Sequence, residues 1–147
     1  DYRPVYRVLD EKAFVNGIVG LMATGGSPNL VLHLPAMARA AGVILELEDF
    51  AEISAATPLM AKVYPNGLAD VNHFHAAGGL GYMIGELIEA GLLHDDSVNV
   101  KGDSLRDYTR DAQLMGGRAG WVDGPRKSLN DKILRPANDP FQPSGGL

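Results

Sequence analysis

Apolar residues recur at helical spacing along the first two thirds of the chain. Phe14, Ile18, Leu21 and Met22 follow the acidic opening Asp10-Glu11-Lys12 and predict a helix that stops at Thr24-Gly25-Gly26. Leu30, Leu34, Met37 and Ala41 form a second stripe. Ser27 is its expected cap, Pro28 sits where no N–H is needed, and Gly42 ends it. Pro35 lies inside this helix and predicts a kink. A short helix is expected from Glu48 to about Ser54, another from Asp70 to about Ala77, and an amphipathic one carrying Leu80, Met83, Ile84, Leu87 and Ile88 up to Gly91. Between them, Val43-Ile44-Leu45, the stretch 58–64 and Val98-Asn99-Val100 read as short strands. A last short helix, capped by Asp103 or Ser104, runs to Asp111. From about residue 116 onward glycine, proline and polar residues dominate, with Trp121 as the one large anchor, and the pattern predicts an extended connection that wraps over something.

Helical segments alternating with strand candidates predict an α/β fold rich in helix, with short, mainly parallel strands covered by helices. The 18 glycines and 9 prolines of the 147 residues fit many short connections. Hydrophobic residues make up 46% and charged residues 21%, as in soluble globular chains. The net charge of −5 comes without any basic block, which argues against nucleic-acid binding. No apolar run approaches the ~20 residues of a membrane span, and no signal pattern opens the chain, so a cytoplasmic location is expected. The absence of cysteine excludes disulfides and any thiolate-held cluster within these residues.

Two groups of residues carry candidate chemistry. Gly25, Gly26, Ser27 and Asn29 lie between two helices, where N–H groups at a helix start can bind a carboxylate or phosphate; the same arrangement also serves as a plain glycine turn with a serine cap. Asn72, His73 and His75 form the densest polar cluster. The two histidines stand two apart and do not share a helix face, so a joint metal is not expected; one of the three residues could touch substrate or a domain interface, and the alternative is a hydrogen-bonded histidine at a packing edge. His33 is expected to be a buried, satisfied histidine, and His94 to sit by the negative end of a helix. Asp95 and Asp96 are read as solvated, and Glu46, Glu48, Asp49 and Glu52 as charges at a helix start. No metal ligand and no catalytic residue is assigned, and Arg106, Tyr108 and Arg110 receive no role.

A run of short matches in fixed order resembles the iron–sulfur sugar-acid and dihydroxy-acid dehydratases. They are Asp10-Glu11-Lys12, Val15-Asn16-Gly17-Ile18-Val19, Ala23-Thr24-Gly25-Gly26-Ser27, His33-Leu34, the stretch 36–42, Ala77-Gly78-Gly79 and Ala90-Gly91-Leu92-Leu93-His94. Tyr64-Pro65-Asn66-Gly67 and the stretch 69–74 resemble the phosphogluconate branch in particular. The likeness is dense over residues 5–100 and sparse beyond. Pro28 departs from the threonine usual in the family, and Pro35 from an ordinary helix former.

The resemblance implies an internal segment of a hydro-lyase that converts 6-phospho-D-gluconate to 2-dehydro-3-deoxy-6-phospho-D-gluconate in the Entner–Doudoroff pathway. Residues 1–115 would be part of the larger N-terminal domain, and 116–147 an extended connection toward a C-terminal domain. The family implies a 4Fe-4S iron–sulfur cluster and a divalent metal in the parent, neither ligated here. It also implies a phosphorylated sugar acid as substrate, the remaining domains of the parent as partners, and a homodimer. The segment by itself is expected to be inactive. Two alternatives stand beside this: a non-catalytic binding or assembly module on the same scaffold, and a segment of a dihydroxy-acid dehydratase.

Overall fold

The structure, a computed structural model, describes residues 2–147. Its helices are α1 (Val5–Val8), α2 (Glu11–Thr24), α3 (Asn29–Ala40), α4 (Leu47–Ala56), α5 (Val71–Ala76) and α6 (Gly79–Glu89). A 3-10 turn over Leu105–Thr109 leads into strands β1 (Arg110–Met115) and β2 (Arg118–Asp123).

Helix α2 is the central element. The Asp10 side chain accepts from the Ala13 N–H at its start, and Gly25 ends it at φ 59°. The C-terminal turn is closed by Gly26 N–H on the Leu21 carbonyl and Gly25 N–H on that of Met22. One side of α2 packs Val19 and Ala23 into a core with Met60, Ala61, Tyr82, Met83 and Leu134. The other packs Ile18, Leu21 and Met22 against Phe50 of α4 and Leu34 of α3. Helix α4 starts with a reciprocal cap between Glu46 and Asp49, which gives that acidic group a structural use.

The α/β, helix-rich expectation holds, but the strands are not parallel. The only regular sheet among the described residues is the antiparallel hairpin β1–β2, with Arg110 opposite Asp123 and Met115 opposite Arg118. Its tight turn is Gly116-Gly117, both at positive φ, which is the conformation a two-residue hairpin turn demands. The three predicted strands resolve differently. Val43 is used up in terminating α3, its N–H bonding the Ala38 carbonyl past Gly42 at φ 85°. Asn99 bends 98–100 into a turn, its side-chain oxygen accepting from the N–H groups of Lys101 and Gly102. Only 58–64 stays extended, with isolated antiparallel bridges from Leu59 to Gln142 and from Ala61 to Leu134, and a parallel one from Val63 to Ala69.

Those bridges show what the tail does. Residues 124–147 run back across the molecule: Leu129 N–H meets the Ala77 carbonyl, Arg135 N–H that of Met60, and Lys62 N–H that of Ile133. Leu134 is fully buried. The tail thus wraps over the body's own core. Trp121 is not its anchor: it is half exposed on the hairpin, with Lys101 Nζ 3.8 Å from its ring centre. Helix α3 runs continuously through Pro35 and leaves only Ala38 buried, while His33, expected inside, is exposed.

Candidate functional site

The turn from α2 to α3 is built by glycine. At φ 59°, Gly25 takes a conformation that costs a side-chain-bearing residue about 1 kcal/mol or more. Its N–H and that of Gly26 are both spent on closing α2, so neither is free for a ligand. Ser27 Oγ accepts from the Asn29 N–H at 3.3 Å, and the Leu30 N–H bonds the Ser27 carbonyl. The cap position of α3 falls on Pro28, in helical geometry and without a side-chain cap bond, so Ser27 bonds the start of the helix from one residue further out than its sequence predicts. The groups left facing solvent are the exposed side chains of Ser27 and Asn29.

A second turn is packed against the first. Tyr64–Pro65 is a cis peptide, Gly67 N–H bonds the Val63 carbonyl, and Tyr64 N–H bonds that of Ala69. Asn66 points its side-chain amide at the Gly25 carbonyl, 3.0 Å away, and at the Gly146 carbonyl, 3.4 Å away. Gly146 N–H in turn bonds the Met22 carbonyl, and Gly145 N–H that of Ser54. The residues that resemble the whole family, Gly25-Gly26-Ser27, thus touch those that resemble one branch of it.

Helix α5 leaves directly from this second turn. Asp70 caps it by accepting from the N–H groups of Asn72 and His73, and His73 Nδ1 accepts from the Asp70 N–H. The backbone N–H of His73, with its ring nearby, holds the Asp70 carboxyl below the usual carboxylate range. His73 is thus a capping residue. Asn72, His73 and His75 are all exposed, and the two histidine rings serve different ends: His75 Nδ1 stands beside Gly79 at the start of α6. No hydrogen bond joins these three side chains to Gly25, Gly26, Ser27 or Asn29 among the described residues. The structure brings the two groups to neighbouring turns without making them one constellation.

Sequence reasoning passed over Asn66 as a site residue, although it stands inside a quoted motif and in a Pro-Asn-Gly turn. It also gave Arg106 no role. Arg106 donates to Asp95 at 2.9 Å and to Glu89 at 2.8 Å, and both carboxylates raise its pKa, Glu89 the more. Asp95 is drawn below its ordinary range first by the Ser104 hydroxyl at 2.6 Å and then by Arg106. Asp95 is therefore a bonded hinge between elements, and Asp96 pairs with Lys12. His94 is locked through its backbone, which exchanges two hydrogen bonds with the Asn16 side chain.

A groove of about 550 Å³ runs between α6 and the root of the hairpin, lined by Glu86, Glu89, Arg106, Asp123 and Arg126. Gly81 and Gly85 form its α6 wall, and Tyr82 lines it with a hydroxyl pushed up chiefly by burial. Its charges are mixed, and Arg106 is committed to its two carboxylates.

No group of three or more histidine, cysteine, aspartate or glutamate side chains is placed to hold a metal among the described residues. With no cysteine in the chain, these residues do not fit an iron–sulfur cluster. Among the described residues no helix is long and apolar enough to cross a membrane.

The profile of the family described as "Dihydroxy-acid/6-phosphogluconate dehydratase N-terminal" matches residues 1–108, and the chain belongs to that family. It is 50% identical over 147 residues to a phosphogluconate dehydratase of Pseudomonas aeruginosa and 51% identical over 148 aligned positions to one of Rhizobium meliloti, covering 100% of this chain in both. A dihydroxy-acid dehydratase of a Roseiflexus species is 38% identical over 140 residues, 95% of this chain. The chain spans about a quarter of the length of these relatives (24%, 24% and 23%).

Proposed function

We propose that this chain is the scaffold-and-binding portion of a cytoplasmic phosphogluconate dehydratase, whose substrate is 6-phospho-D-gluconate and whose product is 2-dehydro-3-deoxy-6-phospho-D-gluconate. The observation that carries the reading is the gap in identity. Phosphogluconate dehydratases match at 45% to 51% across nearly the whole chain, against 38% for the dihydroxy-acid enzyme. The motif that resembles the phosphogluconate branch lies in contact with the glycine turn, where a branch-specific substrate contact would act.

The reaction removes the proton next to the carboxylate and expels hydroxide from the neighbouring carbon; the resulting enol becomes the ketone. It needs a base for the proton and an acid for the leaving hydroxyl. In this reading the base, the acid, and the cluster and divalent metal that the family implies all belong to parts of the parent outside this chain. What these residues offer is binding: the exposed hydroxyl of Ser27 and the side-chain amide of Asn29 can donate to an anionic group, carboxylate or phosphate, while the first N–H groups of α3 are already bonded within the turn. Asn72, His73 and His75 flank the adjoining turn. Exposed apolar residues such as Leu32, Ile44 and Leu68 fit surfaces that the parent's remaining domains and a second subunit would cover.

The test is to supply 6-phosphogluconate to the full-length protein carrying this segment and to follow the 2-keto acid. Turnover is expected with this substrate and not with a branched 2,3-dihydroxy acid. The reverse preference would overturn the assignment.

A further inference from the structure

Asn66 holds one end of a peptide plane. The Gly25–Gly26 peptide presents a carbonyl on one side and an N–H on the other. The Gly26 N–H is fixed by the Leu21 carbonyl at 3.1 Å, and the Gly25 carbonyl by Asn66 Nδ2 at 3.0 Å. A link between two glycines has few steric barriers to reorientation, so removing the Asn66 donor leaves the plane pinned at one end. Ser27 follows directly.

The contact is also tight in space. A Cβ placed on Gly25 would lie 1.9 Å from Asn66 Nδ2, and one placed on Gly146 would lie 2.5 Å from Gly25 Cα and 2.8 Å from the same nitrogen. The backbones of Gly25 and Gly146 therefore meet closely, with the Asn66 side-chain amide supplying donors to both of their carbonyls. Two carbonyls require the nitrogen of the amide, not its oxygen, to face them.

We propose that Asn66 is a positioning residue for the Ser27–Asn29 edge, acting through the Gly25–Gly26 peptide and not by touching substrate. The proposal rests on the reading that this edge binds an anionic group of the substrate.

It is tested in the full-length enzyme with Asn66→Ala and Asn66→Asp, by measuring kcat and KM for 6-phosphogluconate. Asp keeps the size of the side chain but replaces the donor with an oxygen that repels both carbonyls. The expected result is a KM raised roughly fivefold or more in both variants, with Asp at least as severe as Ala, as for a lost hydrogen bond of ordinary strength. The kcat should stay within about twofold, because uniform binding is what is lost. Asn66→Ser, which keeps a single donor, should fall between wild type and Ala and serves if either other variant fails to fold. A side chain that merely fills space would make Asp milder than Ala. That order, an unchanged KM, or a fall in kcat alone would overturn the proposal. Loss of all activity in the unaltered enzyme would instead count against the functional reading itself.

Discussion

Leu134→Ala probes whether the tail is part of the core or only a connection lying on it. Leu134 is fully buried, and it packs in the cluster that includes Met60, Ala61, Ala77 and Leu87. Its neighbours are fixed from both directions: Arg135 N–H bonds Met60, Lys62 N–H bonds Ile133, and the Ser128 hydroxyl donates to the Leu134 carbonyl at 2.6 Å. A site so constrained can collapse little around a deletion. The loss should therefore reach about 3 kcal/mol, within the range for buried leucine truncation. For a chain of this size that corresponds to a fall of about 6–12 °C in melting temperature. Leu129→Ala, five residues earlier and 70% exposed, is the control and should change stability by less than about 0.5 kcal/mol. Urea unfolding followed by helical circular dichroism at 222 nm separates the two. Equal, small effects would refute the claim that residues 124–147 complete this core.

Three further outcomes follow from particular contacts. Asn99→Ala leaves the Lys101 and Gly102 N–H groups without their acceptor and should cost about 1–3 kcal/mol, read by the same unfolding curves; a loss under about 0.5 kcal/mol would contradict the turn's role. Gly116→Val places a branched side chain at φ 58° and should raise amide exchange across 110–123 while leaving α2 protected. Unchanged hairpin protection would speak against that turn. The Asp95 carboxyl is held low in the folded state, so its contribution is fully present above the unfolded pKa of about 3.9 and is lost as pH falls through the lower folded value. Asp95→Asn should therefore lose less melting temperature than wild type between pH 5 and pH 3, and equal losses would show that the bonded carboxylate does not couple to folding.

Helices α2 to α6 were legible because most carry their own punctuation; the four-residue α1, opened by Pro4 without a side-chain cap, was not. Asp10, Asp70 and the Glu46–Asp49 pair open them, Gly25 and Gly42 close them, and the apolar stripe of α2 matches its buried face, whereas α6 buries Met83, Leu87 and Ile88 together with Tyr82 and leaves Leu80 exposed. The strands were not legible, for a reason visible at Val98-Asn99-Val100. A short apolar run names a conformation only if a neighbour offers a ladder, and there the Asn99 side chain offers the backbone a turn instead. The hairpin went unseen because its strands carry Asp111, Gln113 and Gly120 in place of clean alternation, although Gly116-Gly117 announced its turn. His33 shows a different limit: α3 is apolar on more than one side, and periodicity cannot say which side this stretch of chain covers. At the site, Gly25, Gly26, Ser27 and Asn29 were read as an anion site or as a plain glycine turn, and the N–H groups of the two glycines are spent on closing α2. Asn66 escaped notice because its partners, Gly25 and Gly146, are 41 and 80 residues away, and no local pattern encodes such a bond.

The most direct test is where water loss from the sugar acid occurs. Purified full-length protein and the 147-residue chain, each given 6-phosphogluconate under anaerobic conditions with iron and sulfide, should differ completely in the yield of 2-dehydro-3-deoxy-6-phosphogluconate. The whole protein is predicted to form it, and the chain alone to form none above the uncatalysed rate. Product from the isolated chain, or none from the whole protein, would contradict the assignment.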